Sequence, residues 1–165
     1  MKNIILGVAL LLLTNISLAE EPMNQELMET IVKGLATESK GEQGVVEFLY
    51  GDVQMYLVSD VNNDRMRIIA PIVEYNKLSL EHVDAMLESN FHKSLDARYA
   101  VSDGVLYSAY IHPLSALSKK QIESAVFQVA NLALSFGTDY TSGTLQFGGA
   151  KPAENESIEA DGISL

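Results

Sequence analysis

The chain has 165 residues with 22 acidic and 11 basic side chains, which gives it a formal net charge of −11 at pH 7. This charge disfavours binding to phosphate backbones and anionic membranes, so we expect no nucleic acid partner. The sequence contains no cysteine, which excludes disulfides, thiol catalysis and thiolate metal sites.

The first nineteen residues have the parts of a cleavable secretory signal peptide. Lys2 supplies a positive charge, Ile4 to Leu13 is an apolar run, and Ser17 and Ala19 are the small residues that precede a cleavage site. The run is shorter than the roughly 20 residues of a membrane-spanning helix. A buried N-terminal helix would explain the run but not the charge and the cleavage pattern. We therefore expect cleavage after Ala19, a periplasmic or secreted protein, and no membrane anchor.

The first predicted element of the mature chain is a helix over residues 24–38. Asn24 is a suitable N-cap, and the apolar residues that follow recur at intervals of three and four, which gives the helix one buried face. The polar and glycine-containing stretch 38–44 is expected to end this helix.

From Val45 the apolar period changes to two, which indicates strands. Turn residues divide this stretch into three predicted strands: Val45–Tyr50, Val53–Val58 and Arg65–Glu74. Pro71 cannot donate a backbone hydrogen bond. The third strand is therefore expected either at the edge of the sheet or with a bulge.

A second helix is predicted to begin at Ser79, and two short strands follow it at 97–102 and 105–111. The Asp103-Gly104 pair between these strands is a strong signal for a two-residue hairpin turn. The helical period predicts that one stripe of the second helix is buried. Its members are Leu80, Val83, Leu87 and Phe91, with Met86 beside them.

The last predicted helix covers about residues 119–136, begins at a capping box of Ser118 and Gln121, and stops at Gly137. Its predicted core stripe consists of Ile122, Ala125, Val126, Val129, Ala133 and Phe136. A second apolar stripe, Phe127, Ala130 and Leu134, is rotated by about 100°. Its polar face consists of Ser124, Gln128, Asn131 and Ser135. A broad core and a contact with a subunit or partner explain the second stripe equally well.

This order predicts a single α+β domain over residues 20–142, with a five-stranded antiparallel sheet packed with helices in the order α-β-β-β-α-β-β-α. The remaining residues, 143–165, contain glycine, serine and acidic side chains without an apolar period. They are expected to form a flexible acidic tail.

The stretch from Ala97 to Tyr107 and the pairs Asp103-Gly104, Pro113-Leu114 and Leu117-Ser118 resemble the class I type III secretion chaperone fold, and more closely its YbjN-like branch of putative bacterial sensory transduction regulators. The resemblance covers roughly residues 24–138. It implies a small dimer that binds protein segments, without catalysis or a cofactor. Secretion chaperones of this fold work in the cytoplasm, whereas this chain has an export signal. The resemblance therefore implies the fold rather than the secretion role.

Few residues carry the spacing that catalysis or metal binding needs. The serines lie at predicted caps or turns, and no G-x-S-x-G sequence occurs. Glu88 and His92 are four residues apart on a helix and could face one metal ion, but a solvated helix face explains them more simply. Asp60 and Asp64 bound a loop that lacks the complete calcium-binding pattern. His112, before Pro113, is expected to end a strand.

The sequence thus favours a non-catalytic, exported binding module that engages a protein or peptide partner as a homodimer. The alternative is a metal-assisted hydrolase or a small-ligand sensor of the cell envelope. Tyrosine offers a large contact area with a polar tip, so strand tyrosines mildly support binding. The residues expected at a partner or dimer surface are Phe127, Ala130, Leu134, Tyr56 and Tyr110.

Overall fold

Residues 22–143, the part of the chain that the computed structural model describes, form three α-helices and six strands. The predicted signal peptide and all of the predicted tail after Gly143 lie outside these residues. In chain order the elements are α1 (Gln25–Leu35), β1 (Glu38–Glu42), β2 (Val45–Tyr50), β3 (Val53–Asp60), β4 (Arg65–Glu74), a 3-10 turn (Tyr75–Lys77), α2 (Leu80–His92), β5 (Arg98–Ser102), β6 (Val105–His112) and α3 (Lys119–Leu134).

The strands form one antiparallel sheet in the order β1-β2-β3-β4-β6-β5. The predicted α+β class and antiparallel sheet are confirmed, but the sheet has six strands rather than five. The additional strand is β1, where the sequence predicts the end of a helix. All five of its residues are exposed, so it shows no alternation of apolar and polar side chains. It is held by backbone pairing with β2, which an apolar pattern does not reveal.

Pro71 lies in a central strand, because β4 pairs with β3 on one side and with β6 on the other. The predicted edge position for this strand is therefore wrong. The predicted bulge is present, since the register between β4 and β6 shifts between Pro71 and Val73. The shift lets the strand carry a proline where a ladder hydrogen bond would otherwise be lost.

The predicted hairpin turn between β5 and β6 is confirmed. Asp103 has φ 49° and Gly104 has φ 75°, and a type I′ turn needs positive φ at both central residues. The resulting register sets Tyr99 opposite Ser108 and Val101 opposite Leu106.

The core lies between one face of the sheet and the helices. Burial alternates along β3, and the register aligns Leu57 with Ile68 and Ile68 with Tyr110, so these three side chains point to the same face. Met28 and Val32 from α1 are buried in the same cluster. The predicted core stripe of α3 is confirmed: Ile122, Ala125, Val126 and Val129 are buried, and Ala133 and Phe136 are partly buried against the core.

A buried carboxylate fixes α1 against the β1–β2 turn. The backbone N–H of Gly44 donates to Glu29 Oε1 at 2.7 Å, and Lys33 Nζ lies 3.8 Å from the other carboxylate oxygen. Gly44 has φ +99°, and a Cβ atom there would lie 3.1 Å from the carbonyl oxygen of Ser59. A larger residue would therefore be strained at this point.

Candidate functional site

The apolar stripe that the sequence predicts to be buried on α2 is largely exposed. Leu80, Leu87 and Phe91 are 83%, 63% and 76% exposed. On the helical wheel these three residues lie within about 40° of one another. They lie along one outer side of α2, with the exposed Asp84 between Leu80 and Leu87, and we call these three residues the α2 apolar face.

The inward side of α2 carries polar as well as apolar residues, which explains why the prediction was wrong. Met86 and Ser89 are buried, and Val83 is partly buried. The hydroxyl of Ser89 donates to the carbonyl of Tyr140 and lies 3.1 Å from the hydroxyl of Ser94. Specific hydrogen bonds, rather than apolar side chains alone, attach this helix to the domain.

Asn90 attaches α2 to the edge of the sheet. Its Nδ2 donates to the Tyr99 carbonyl at 3.2 Å, and the Tyr99 N–H donates to its Oδ1 at 2.8 Å. Because β5 is an edge strand, these backbone groups have no neighbouring strand. The Tyr99 hydroxyl donates to the Leu132 carbonyl at 2.8 Å, and burial raises the pKa of Tyr99.

We expect Asn90→Ala to lower the free energy of unfolding by about 2 kcal/mol. The change removes both hydrogen bonds and leaves the edge N–H and carbonyl of Tyr99 partly buried without a partner. Urea unfolding followed by circular dichroism measures the loss. Glu88→Ala, at an exposed position on the same helix, is the matched control and should change stability by less than about 0.5 kcal/mol. Equal stability of the two variants would contradict the role of Asn90.

The α2 apolar face continues toward the sheet edge. Tyr75 and Val101, both partly exposed, line a shallow groove of about 180 Å³ between α2 and β5. Glu88 and His92 are also exposed on α2, and the His92 ring packs against Phe91 with its centroid 4.7 Å away.

The second predicted stripe of α3 is divided between surface and core. Phe127 is 50% and Leu134 is 65% exposed, whereas Ala130 is buried. Ala130 therefore offers no surface to a partner, because it faces the core cluster. Phe127 and Leu134 are two turns apart on one side of the helix, and we call them the α3 apolar pair.

The two strand tyrosines expected at a partner surface lie on opposite faces of the sheet. Tyr56 is half-buried on the face that carries no helix, because it pairs with Glu47 and Ile69 rather than with core residues. Tyr110 lies on the helix-covered face and is buried. The five residues predicted from the sequence thus do not form one surface.

Gln128, which the sequence places on the polar face of α3, is buried. Its Oε1 accepts from the backbone N–H groups of Asp96 and Ala97, and its Nε2 donates to the carboxylate of Asp96 and the hydroxyl of Ser124. The prediction was wrong here because periodicity does not reveal a polar side chain that is buried with all its hydrogen bonds made.

The acidic loop uses its carboxylates within the fold. Asp60 accepts from the backbone and side-chain amides of Asn63, and Asp64 accepts from the backbone N–H and hydroxyl of Ser115 at 2.7 and 2.8 Å. These hydrogen bonds hold the pKa of both carboxyls below its usual range. Within residues 22–143, no group of three His, Cys, Asp or Glu side chains is placed to bind a metal ion.

His112 is the last residue of β6, as expected from Pro113 after it. Its Nδ1 lies 2.9 Å from the Pro113 carbonyl oxygen, and its ring stacks on that of Tyr110. None of the helices in the described part of the chain is long and apolar enough to cross a membrane.

Comparison with solved structures decides the fold. A chain of the HopA1–SchA chaperone–effector complex superposes with a TM-score of 0.52 and 11% identity, over 67% of this chain and 90% of that one. A chain of the Yersinia pestis complex between the type III secretion chaperone SycH and a stable fragment of YscM2 gives a TM-score of 0.50 and 16% identity, over 68% of this chain and 98% of that one. The fold is that of the type III secretion chaperones.

No family model and no curated protein matches the chain. The chaperone-like fold is thus confirmed by structure, whereas the assignment to the YbjN-like branch stays a prediction.

Proposed function

We propose that this protein is a non-catalytic binding module that works as a homodimer and engages a segment of another protein. The observation that carries the proposal is the exposure of the α2 apolar face. Three large apolar side chains in line on one helix are unusual on a monomeric surface and are typical of a protein interface. The similar structures support the proposal, because both are complexes that contain a chaperone.

We assign the α2 apolar face to the homodimer. A single straight strip can pair with its own copy about a two-fold axis, because such an interface needs only one self-complementary patch. Together with Tyr75 and Val101, the strip exposes apolar surface on the order of 500 Å². That is more than half of the roughly 800 Å² that each partner contributes to a stable interface.

We assign the α3 apolar pair to the partner segment. Phe127 and Leu134 lie on a different helix from the α2 apolar face, and we assign the two helices to two separate contacts. The spacing of seven residues on one helix suits the side chains of an extended or helical peptide. Aromatic side chains such as that of Phe127 are also enriched in protein interfaces.

A non-catalytic role fits the chemistry of the described residues. Ser79 and Ser118 cap helices, and Ser115 donates its hydroxyl to Asp64. Glu88 and His92, the pair that a metal-assisted hydrolase would use, have no third ligand near them among residues 22–143.

Binding is tested with the mature protein as bait in an extract of the cell envelope. We expect a specific captured protein that is lost with Phe127→Glu, because the added charge opposes burial of the α3 apolar pair. Lys120→Glu, which introduces the same side chain at another exposed site of α3, is the control and should retain the captured protein. A captured set identical for all three proteins would contradict this assignment.

We further propose that the protein acts in the periplasm or outside the cell. Mass spectrometry of the exported protein should give Glu20 as the first residue, because Ser17 and Ala19 suit the signal peptidase pocket. Ala19→Leu, which replaces the small residue, should block this cleavage. Recovery of the unaltered protein with residues 1–19 still attached would show that the segment is not a cleaved signal.

A further inference from the structure

A polar cleft opens between α3 and the end of the sheet where β5 begins. β6 extends past the start of β5, since Arg98 already pairs with Ala109, and the uncovered end of β6 forms the floor. The cleft has a volume of about 350 Å³. Its walls are polar side chains of α3 on one side and Asp96 and Arg98 on the other.

Arg98 is held in this cleft with two of its five N–H donors in hydrogen bonds to residues 22–143 and three unused. Its Nη1 donates to the carbonyls of Leu95 and Ala97 at 2.6 and 2.9 Å, which fixes the plane of the guanidinium. No carboxylate of residues 22–143 lies within 4.0 Å of it. The edge formed by Nε and Nη2 therefore remains available, and this edge binds a carboxylate through two parallel hydrogen bonds.

Tyr110 supplies a second group that lacks a partner. The residue is only 5% exposed, and its hydroxyl makes no hydrogen bond with any residue in the range 22–143. The ring is buried, but the hydroxyl oxygen still reaches the surface of the cleft, where it can hydrogen-bond to a ligand or to water. Burial, and then the negative charge of Asp96, raises the pKa of Tyr110, and both residues line the cleft.

The neighbouring groups are already held in place by the fold. Gln128 makes four hydrogen bonds, one of which fixes one oxygen of Asp96 and leaves the other available. His112 is anchored through Nδ1, so its Nε2 is available as a hydrogen-bonding atom of the cleft. The cleft thus combines a fixed cation, a fixed anion and a hydroxyl that has no partner among residues 22–143.

We propose that this cleft binds a free α-amino acid, with its carboxylate on Arg98, its ammonium group on Asp96 and a hydrogen bond to the Tyr110 hydroxyl. The opposite charges of the two side chains match a zwitterion rather than a simple anion. The chain has a net charge of −11, which repels anionic ligands and favours one without net charge. The volume suits an amino acid, since ligand pockets begin at about 300 Å³.

The test uses the mature full-length protein labelled with ¹⁵N and four probes: L-alanine, L-glutamine, propionate and L-alaninamide. Propionate lacks the ammonium group of alanine, and L-alaninamide lacks its carboxylate. We expect saturable chemical-shift changes at residues 96–98 and 110–112 with at least one amino acid, and weaker binding of both analogues. No saturable change with either amino acid up to about 10 mM would overturn the proposal.

Two variants show whether the named groups carry the binding. Tyr110→Phe removes only an unpaired hydroxyl, so the fold should be kept and the affinity should fall by about two- to tenfold. Arg98→Lys keeps the charge but not the two-pronged contact and should weaken binding by about tenfold. Unchanged affinity in both variants would place the ligand elsewhere. Propionate binding as well as the amino acid would mean a simple carboxylate site and would overturn the zwitterion assignment.

This cleft is independent of the proposed dimer. It lies beside α3 and the β5–β6 pair, and none of its lining residues belongs to the α2 apolar face. Amino acid binding should therefore be the same in the wild-type protein and in a folded variant with Leu87→Glu. The presence or absence of amino acid binding does not decide whether the protein binds a protein partner.

Discussion

Val129→Glu should unfold the domain, whereas Phe127→Glu should leave it folded. The two residues lie two positions apart on α3, but Val129 is fully buried and Phe127 is half exposed. A carboxylate at 129 would lie in the core without a partner, at a cost of several kcal/mol. Since a domain of this kind is stable by about 5–15 kcal/mol, one such change removes most or all of its stability.

Circular dichroism and urea unfolding of the two variants measure this difference. We expect no cooperative transition for Val129→Glu and a loss of less than about 1 kcal/mol for Phe127→Glu, in line with a surface substitution. Leu134→Glu, at the other member of the α3 apolar pair, should behave like Phe127→Glu. An unfolded Phe127→Glu variant would mean that this side chain belongs to a broad core, the alternative that the sequence left open.

The same physical signals explain what could be predicted from the sequence. Half-buried strands alternate between apolar and polar residues, and β2, β3 and β4 begin at the predicted residues. Caps are local hydrogen bonds, so Asn24, Ser79 and Ser118 are found where they were expected.

The predictions were wrong where contacts between elements that are distant in sequence determine the structure. β1 forms because a neighbouring strand offers backbone partners, and its own side chains are all exposed. On α2 the helical period correctly predicted a helix with one apolar face. It could not show that the face points outward, because Ser89 and Asn90 make the inward contacts.

The same distinction between local sequence pattern and tertiary contact applies to the candidate sites. Phe127 and Leu134 could be proposed as a surface because a second apolar stripe is visible in one helix. The cleft could not be predicted, because Arg98, Tyr110 and Gln128 come from three elements and Asp96 from the loop before β5. Only the pairing of β5 with β6 and the packing of α3 bring them together. Tyr110 was expected at a contact surface, and it is instead buried at the base of the cleft.

Leu87→Glu or Phe91→Glu should convert the protein from a dimer to a folded monomer. Both side chains are mostly exposed in the single chain, so a charge there does not disturb the core. In a dimer through the α2 apolar face the same charge would be buried twice, once from each copy, close to the two-fold axis. A penalty of about 4 kcal/mol is close to a thousandfold change in dissociation constant, enough to dissociate a micromolar dimer.

Size-exclusion chromatography with light scattering gives the mass, and circular dichroism shows whether each variant is folded. Glu81→Lys and Glu88→Lys change charge on the adjacent polar side of α2 and should leave the dimer intact. Phe127→Glu should also remain dimeric, because Phe127 lies on α3 and not on α2. This result would distinguish the dimer surface from the partner surface. If Leu87→Glu unfolds, the strip is part of the core after all. If the unaltered protein is a monomer at high micromolar concentration, the α2 apolar face must serve a different partner.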